Sequence, residues 1–366
     1  MTSAQYALKT IGNPKEKYIC NMSLINRLSA RLQNHPKRVV FPEGEDLRIL
    51  KAARQFANRK LGVPVLMGAK ETISAMAAEN DISLDGIRII EIEKSDDYGA
   101  LRVILKGMPK FRQSTDESLD SFLKSPGYFA ALMLATGRVD AMVSGVTQTA
   151  SNSLRPVFQI ISRQPCVKTI SSMTIVETNN PDLGSDGVIF MADCGVIPEP
   201  DENQLSEIAI TTAILANHLT DRQSKVAMLS FVSKLNVAKT ASVMKMKSAT
   251  ALAHKISRDN NLGIEIDGEL QVDAALTVEA ARIRGISSTV AGHANVLIFP
   301  DLNSGNIASK FISVIGCART YGQILTGLTK PVADIPRGAV VEDIFGAAVI
   351  VAAQAVDKKY LFPEEA

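Results

Sequence analysis

Cysteine is scarce and scattered: Cys20, Cys166, Cys194 and Cys317 are the four in 366 residues, and no CxxC pair occurs. That spacing offers neither a zinc site nor a disulfide framework, and it fits a reducing, cytoplasmic setting. Long apolar runs are also missing. The most apolar stretch, Gly346–Val356, is too short to cross a bilayer and reads as a buried helix. The opening MTSAQYALKTIGNPKEKY has no apolar run beside a cleavage site, so no signal peptide is expected. A net charge of +2 gives no broad basic footprint for nucleic acid, although a small basic pocket for an anion stays open. No GxGxxG follows a strand, and no GxxxxGKS/T, HExxH, GxSxG or EF-hand loop is present. Hydride transfer on a dinucleotide fold, Walker-type nucleotide hydrolysis and serine hydrolysis therefore lose weight. No carboxylate pair has the spacing of glycosidase or two-metal chemistry, and no metal site is expected.

What is present is ordinary globular material, 46% apolar and 21% charged, in a chain long enough for two domains. Short apolar runs alternate with amphipathic stretches. The runs Arg38–Phe41, Val63–Met67, Ile87–Ile92, Asp140–Ser144, Val188–Met191, Lys225–Ser230 and Asn295–Phe299 read as strands. Leu47–Ala57, Tyr128–Thr136, Gln204–His218 and Ala238–Lys255 read as helices. This alternation predicts an α/β protein whose mostly parallel sheet is covered on both faces. Glu177–Gly187 is the clearest turn-rich break, and the first thirty or so residues read as a loosely attached, partly helical extension.

Ligands of such sheets bind in loops after strands, so polar clusters there carry the chemistry. PEGED follows the first strand. Ser144–Pro156 (SGVTQTASNSLRP) follows another and leads into a helix expected at Val157–Ser162. Its hydroxyls, including Ser144, Thr147 and Thr149, together with Arg155 and a helix N-terminus, suit a phosphate. A hydroxyl-rich loop that only caps the helix explains the same residues. Lys330–Asp343 (KPVADIPRGAVVED) places Arg337 near the start of a long apolar helix, with Glu342 and Asp343 in its first turn. From spacing alone those two carboxylates read as complements to the helix dipole. Ala291–Asn306 ends in Asp301, Asn303, Ser304, Gly305 and Asn306, either a ligand-contacting loop or an N-capped turn; Gly305 permits close backbone approach or a positive φ. His293 reads as a satisfied structural histidine, Cys194 as an inert buried thiol, and Asp267-Gly268-Glu269 as a turn before a helix. Arg112 by itself is equally compatible with solvated surface and with an anion contact.

Taken together, these motifs resemble the phosphate acetyltransferase family. SGVTQTASNSLRP is similar to its SGxxxTxxxxLRP signature. SPGYFAALML, MADC, DGELQVDAAL, AGHANVLIFPDLNSGN and YGQILTGLTKPVADIPRG resemble further family segments, over roughly Val39 to Val356. The resemblance implies two α/β/α domains with a cleft between them, like the isocitrate and isopropylmalate dehydrogenases. Residues 1–165 and 328–366 would form the first domain, completed by the returning C-terminal segment, and 166–327 the second. It implies a homodimer and reversible transfer of an acetyl group between coenzyme A and phosphate, with acetyl-CoA as substrate, no other cofactor and no metal. Asp343 then matches the base that deprotonates the thiol, and Arg337, Arg155 and Arg112 match positions that neutralise phosphate. Ser144, Thr147, Thr149, Asn303, Gly305 and Asn306 are the remaining substrate-binding candidates.

The chain departs from the family in three places. The usual NDLSRG loop reads Ala333-Asp334-Ile335-Pro336-Arg337-Gly338, so Pro336 replaces a serine and supplies neither hydroxyl nor N–H. RKHKG is replaced by Arg112–Asp116, and a serine- and glycine-rich stretch by Val232–Asn236. Three readings follow: an acetyltransferase that tolerates proline, an acyltransferase for propionyl or butyryl groups, or a non-catalytic acyl-CoA-binding regulatory protein.

Overall fold

The computed structural model describes residues 23–234, 240–316 and 318–357. Among them, eleven strands join one mixed sheet in the order β3-β2-β1-β4-β11-β10-β5-β6-β9-β7-β8. In chain order these are β1 (Lys37–Phe41), β2 (Gly62–Met67), β3 (Arg88–Ile90), β4 (Ala141–Ser144), β5 (Ser171–Glu177), β6 (Val188–Ala192), β7 (Lys225–Leu229), β8 (Glu265–Leu270), β9 (Val296–Ile298), β10 (Arg319–Thr326) and β11 (Val332–Asp334). Two parallel blocks, β3-β2-β1-β4-β11 and β6-β9-β7-β8, run in opposite senses because β10 and β5 pair antiparallel with their neighbours.

Alternation within the strands explains the layers. Val39, Phe41, Ala141 and Val143 face one side of the sheet, where they join helices Leu47–Asn58, Glu202–Thr220 and Val341–Gln354 in a core continuous across both blocks. Val40, Val65, Met67 and Met142 face the other side and meet helices Pro126–Ala135 and Ala150–Ile160. A third cluster covers the second block there, around Met191, Ala227 and Leu297. Helix Val341–Gln354 is buried from Ile344 through Ala353. At about 1.5–3 kcal/mol for each large aliphatic side chain removed from water, this helix is a main anchor of the fold. Gly346 is required in it, because a Cβ there would stand 2.4 Å from the Tyr321 ring.

Several expectations are corrected. The first described helix, Leu24–Asn34, is no loose extension: Leu24, Ile25, Leu28 and Leu32 are buried, and Ser23 caps its start; residues 1–22 lie outside the described residues. Asp267–Glu269 belong to β8, not to a turn, and Asp267 pairs with Lys234. The helix expected from Val157 begins at Ala150, so Arg155 and Pro156 are helical. Asn303, Gly305 and Asn306 lie in helix Leu302–Ile315, whose N-cap Asp301 accepts from the Ser304 N–H at 2.9 Å. His293 is exposed. The turn-rich break at Glu177–Gly187 is the connection of the antiparallel β5–β6 pair. Leu235 and Asn236, in the third departure from the family pattern, lie outside the described residues.

Candidate active site

The site is assembled where β1, β4 and β11 end side by side. Asp334 closes β11 directly opposite Ser144 at the end of β4, and the Ile335 N–H donates to the Ser144 carbonyl at 2.7 Å. The chain then turns at Gly145 with φ +102, a conformation that strains any L side chain. A Cβ there would also come within 2.5 Å of Asp334 Oδ1, so this glycine is needed for two reasons.

The next residues are held by a carboxylate from the first strand's loop. Glu43 accepts from the Val146 N–H at 2.9 Å, the Thr147 N–H at 3.1 Å and the Thr147 hydroxyl at 3.0 Å. Arg48 joins this loop to the C-terminal one. Its guanidinium donates to the carbonyls of Arg337 (2.8 Å), Ala339 (3.0 Å) and Val146 (3.2 Å). Asp46 grips the other edge of that guanidinium at 3.0 and 2.8 Å. Burial works against the charge on Asp46, but Arg48 holds it below the usual carboxylate range. Bidentate pairing of this kind fixes orientation as well as charge.

A cavity of about 690 Å³ opens beside this junction. Its polar wall includes Glu43, Glu45, Ser144, Gln148, Asn152 and Arg155, and its apolar wall Met67, Phe122, Tyr128, Met142 and Pro156. Ser144 Oγ is enclosed and has no hydrogen-bond partner among the described residues. A buried hydroxyl left unpaired is costly, so a ligand group is its natural partner. Arg155 has no carboxylate within ion-pair distance among the described residues, and neither does Arg337. Burial raises the Tyr128 hydroxyl's pKa, with Arg155 opposing. Thr149 is the N-cap of the helix that carries Arg155, and its side chain makes no capping bond.

Arg337 stands exposed in the turn closed by the Ala339 N–H donating to the Pro336 carbonyl at 2.9 Å. Asp343 follows in the first turn of helix Val341–Gln354, half-buried, and accepts from the Val340 N–H at 3.1 Å. Burial raises its pKa, the Val340 N–H opposes this, and neighbouring Glu342 adds to it. A carboxyl raised in this way is a stronger proton acceptor than a solvated one. Asp334 is pushed up to about 6, by burial first, against the Ser153 hydrogen bond, with Glu43 adding like charge.

The sequence candidates thus divide. Ser144, Thr147 and Arg155 line one cavity; Thr149, Arg337 and Asp343 do not line it, but the loop of Arg337 and Asp343 is tied to the same wall through Ile335 and Arg48. Arg112 is exposed, with Nε donating to the Gly107 carbonyl at 3.3 Å, and does not line the cavity. Asn303, Gly305 and Asn306 lie in the other block. Gly305 packs so closely that a Cβ would meet the Asp193 carbonyl at 2.1 Å, and the Asn306 amide donates to the Cys194 carbonyl at 3.0 Å. Burial pushes the Cys194 thiol up to about 12, which makes it inert as a nucleophile near neutrality. Asp193 beside it accepts from the N–H groups of Ser172, Gly195, Val196 and Ile197, a structural hub. Sequence reasoning assigned no role to Glu43, Arg48, Ser153 or Asp334. PEGED after a strand was the signal for Glu43; Arg48 lies in the amphipathic Leu47–Ala57 stretch, and nothing in that pattern singles it out.

A cavity at the strand ends of an α/β sheet, lined by Arg155 and an unpaired Ser144 hydroxyl, is the arrangement of an enzyme cleft. The chain belongs to the phosphate acetyl/butaryl transferase family, which matches residues 23–352. It is 39% identical to the phosphate acetyltransferase of Acetivibrio thermocellus, over 91% of this chain and 98% of that protein. To that of Clostridium acetobutylicum it is 37% identical, over 91% and 99%. A phosphotransacetylase structure from Streptococcus pyogenes superposes with a TM-score of 0.82 at 34% identity, covering 91% of this chain and 98% of that one.

Proposed function

We propose that this protein is an acyltransferase that interconverts acetyl-CoA and phosphate with acetyl phosphate and CoA. The observation that carries the reading is the cavity wall bearing the uncommitted Arg155 guanidinium and the unpaired Ser144 hydroxyl, pinned by Ile335 and Arg48 to the loop of Arg337 and Asp343. Arg155 and Arg337 hold phosphate or the phosphoryl end of acetyl phosphate, since a planar guanidinium matches its oxygens. Ser144 and Thr149 add hydroxyl contacts.

Asp343 takes the proton from the thiol of CoA, whose pKa is about 8.5 like that of free cysteine. The thiolate attacks the carbonyl carbon of acetyl phosphate. The sulfur–carbon bond forms, the carbon–oxygen bond to phosphate breaks, and the proton returns from Asp343 to the departing phosphate. The arginines neutralise charge on the leaving group, so the mechanism calls for no metal. Run backward, phosphate attacks the thioester and CoA leaves.

The reading extends to a division into two units, 1–165 with 328–366 and 166–327. The seam would fall between β10 and β11, which share only the register pair Ile324↔Ala333. It also extends to a homodimer in the cytoplasm. Helix Leu302–Ile315 supports the dimer: Ile307, Phe311, Val314 and Ile315 recur at helical spacing and are 61–82% exposed, an apolar stripe that a second copy would cover. Among the described residues, no helix is long and apolar enough to cross a membrane.

The test is release of free thiol from acetyl-CoA in phosphate, repeated with propionyl- and butyryl-CoA. Phosphate-dependent release that is fastest with acetyl-CoA supports the reading; faster release with butyryl-CoA reassigns the acyl group. Pro336, which has no hydroxyl to offer at this loop, keeps a second reading open. Tight acetyl-CoA binding without turnover on any acyl-CoA would make this a regulatory acyl-CoA-binding protein.

A further inference from the structure

We propose that Ser153 and Asp334 form a positioning latch that sets Arg155 relative to the loop of Arg337 and Asp343. The inference rests on the acyl-transfer reading and names residues that this reading does not use. The Ser153 hydroxyl donates to Asp334 Oδ1 at 2.5 Å across a sequence separation of 181. Its other neighbours are local, the carbonyls of Thr149 and Ala150 at 3.2 Å each. A serine buried in a helix usually satisfies itself on such carbonyls. Here the shortest contact instead leaves the helix and reaches the end of β11.

The surroundings are built around this bond. Gly145 has no side chain at the one place where a Cβ would strike Asp334 Oδ1. The Ile335–Ser144 backbone bond holds the residue after Asp334 against the residue before Gly145. Ser153 is 4% exposed, and without Asp334 its hydroxyl is left with the two longer local contacts. On one side of the latch, Arg155 lies two residues along the helix. On the other, Arg337 lies three residues along the loop. This hydroxyl–carboxylate bond therefore ties the helix that carries Arg155 to the strand end that leads to Arg337. Neither side chain is assigned contact with the reacting atoms; their effect passes through Arg155.

The test uses the full chain and reads kcat and both KM values, alongside the thermal midpoint, for Ser153→Ala, Ser153→Thr and Asp334→Asn. A hydrogen bond to a charged group is worth enough that Ser153→Ala should raise the KM for phosphate about tenfold or more. The KM for acetyl-CoA should change much less, and Ser153→Thr should restore the parent value. Asp334→Asn, which keeps an acceptor but loses the charge, should give a smaller rise in the same KM. The double variant should be no worse than Ser153→Ala alone, because both remove one interaction. Unchanged phosphate KM values in folded Ser153→Ala and Asp334→Asn would overturn the latch, as would equal changes in both KM values that follow the loss of thermal stability. Phosphate binding by calorimetry separates the two claims. If the parent protein binds phosphate without turnover, the acyl-transfer reading fails, and the latch still stands or falls on whether Ser153→Ala weakens that binding.

Discussion

Asp334 provides a stability prediction whose sign opposes its proposed value to function. Its carboxyl goes from an ordinary 3.8 to about 6 in the folded protein, chiefly through burial, with Ser153 opposing and Glu43 adding to the rise. A raised folded-state pKa means that the native chain binds the proton more tightly than the unfolded one. Stability from this group is therefore fully present below pH 3.8 and is lost as pH rises through about 6. A rise of this size corresponds to about 3 kcal/mol over the whole window, of which about 2 kcal/mol falls between pH ~4.5 and ~7.5. Asp334→Asn replaces the charged form with a neutral amide of nearly the same shape. Its stability advantage over the parent should therefore widen by about 2 kcal/mol from pH ~4.5 to ~7.5, roughly 3 °C in thermal midpoint for a chain of this size. The assay is differential scanning calorimetry or thermal circular dichroism of both proteins across that range. An advantage that stays flat or shrinks as pH rises would refute the account, because it would mean that the buried carboxyl is not strained by its charge. The same substitution should weaken phosphate use, so at neutral pH a more stable protein should be a poorer enzyme.

Four further outcomes follow from the same geometry. Asp343→Asn should lower kcat by roughly 10²–10⁴, the usual weight of a positioned base, in a thiol-release assay; a near-normal rate would remove Asp343 from the proton transfer. Pro336→Ser should raise kcat, by up to about a hundredfold if a hydroxyl at that turn assists the transition state; an unchanged or lower rate would show that this loop works without one. Gly145→Ala should lower the thermal midpoint and abolish phosphate-dependent turnover, since it combines a φ of +102 with a 2.5 Å approach to Asp334 Oδ1; a stable, active variant would contradict the crowding described here. Phe311→Glu should shift the protein to monomers in sedimentation velocity if the exposed stripe on helix Leu302–Ile315 is the dimer face; an unaltered dimer would place the interface elsewhere.

Where the sequence was legible, one property decided the matter. Strands buried on both faces, such as β1 and β4, appear as short apolar runs, and the apolar Gly346–Val356 stretch lies within or just after its buried helix. The strands that escaped notice are those carrying polar residues. On β5 and β10, the Ser171 and Thr326 hydroxyls bond each other at 2.7 Å, and Ser172 bonds Asp193 at 2.7 Å and Gln323 at 2.9 Å. β8 holds Asp267 and Glu269, both nearly fully buried. A polar residue satisfied by a partner far along the chain is indistinguishable in one dimension from a polar residue in a loop. The SGVTQTASNSLRP run was read as a loop as far as its proline, yet Thr149 begins a helix that continues through Pro156. The first turn of a helix needs no internal donors, so hydroxyl-rich sequence is tolerated there, whereas Pro156 lies inside the helix and removes one internal donor from it.

By itself, the sequence determined the α/β class and, through its co-linear motifs, the family. Local composition carries that information, because strand burial, turn chemistry and guanidinium groups are properties of short segments. Only the tertiary structure decided which segments share a wall. It inserted β11 between β4 and β10, let Arg48 and Asp334 bridge residues far apart in the chain, and left Arg112 and the helical residues Asn303–Asn306 outside the cavity. Strand order in a sheet is set by how whole faces exclude water together, and no short stretch of sequence contains that sum.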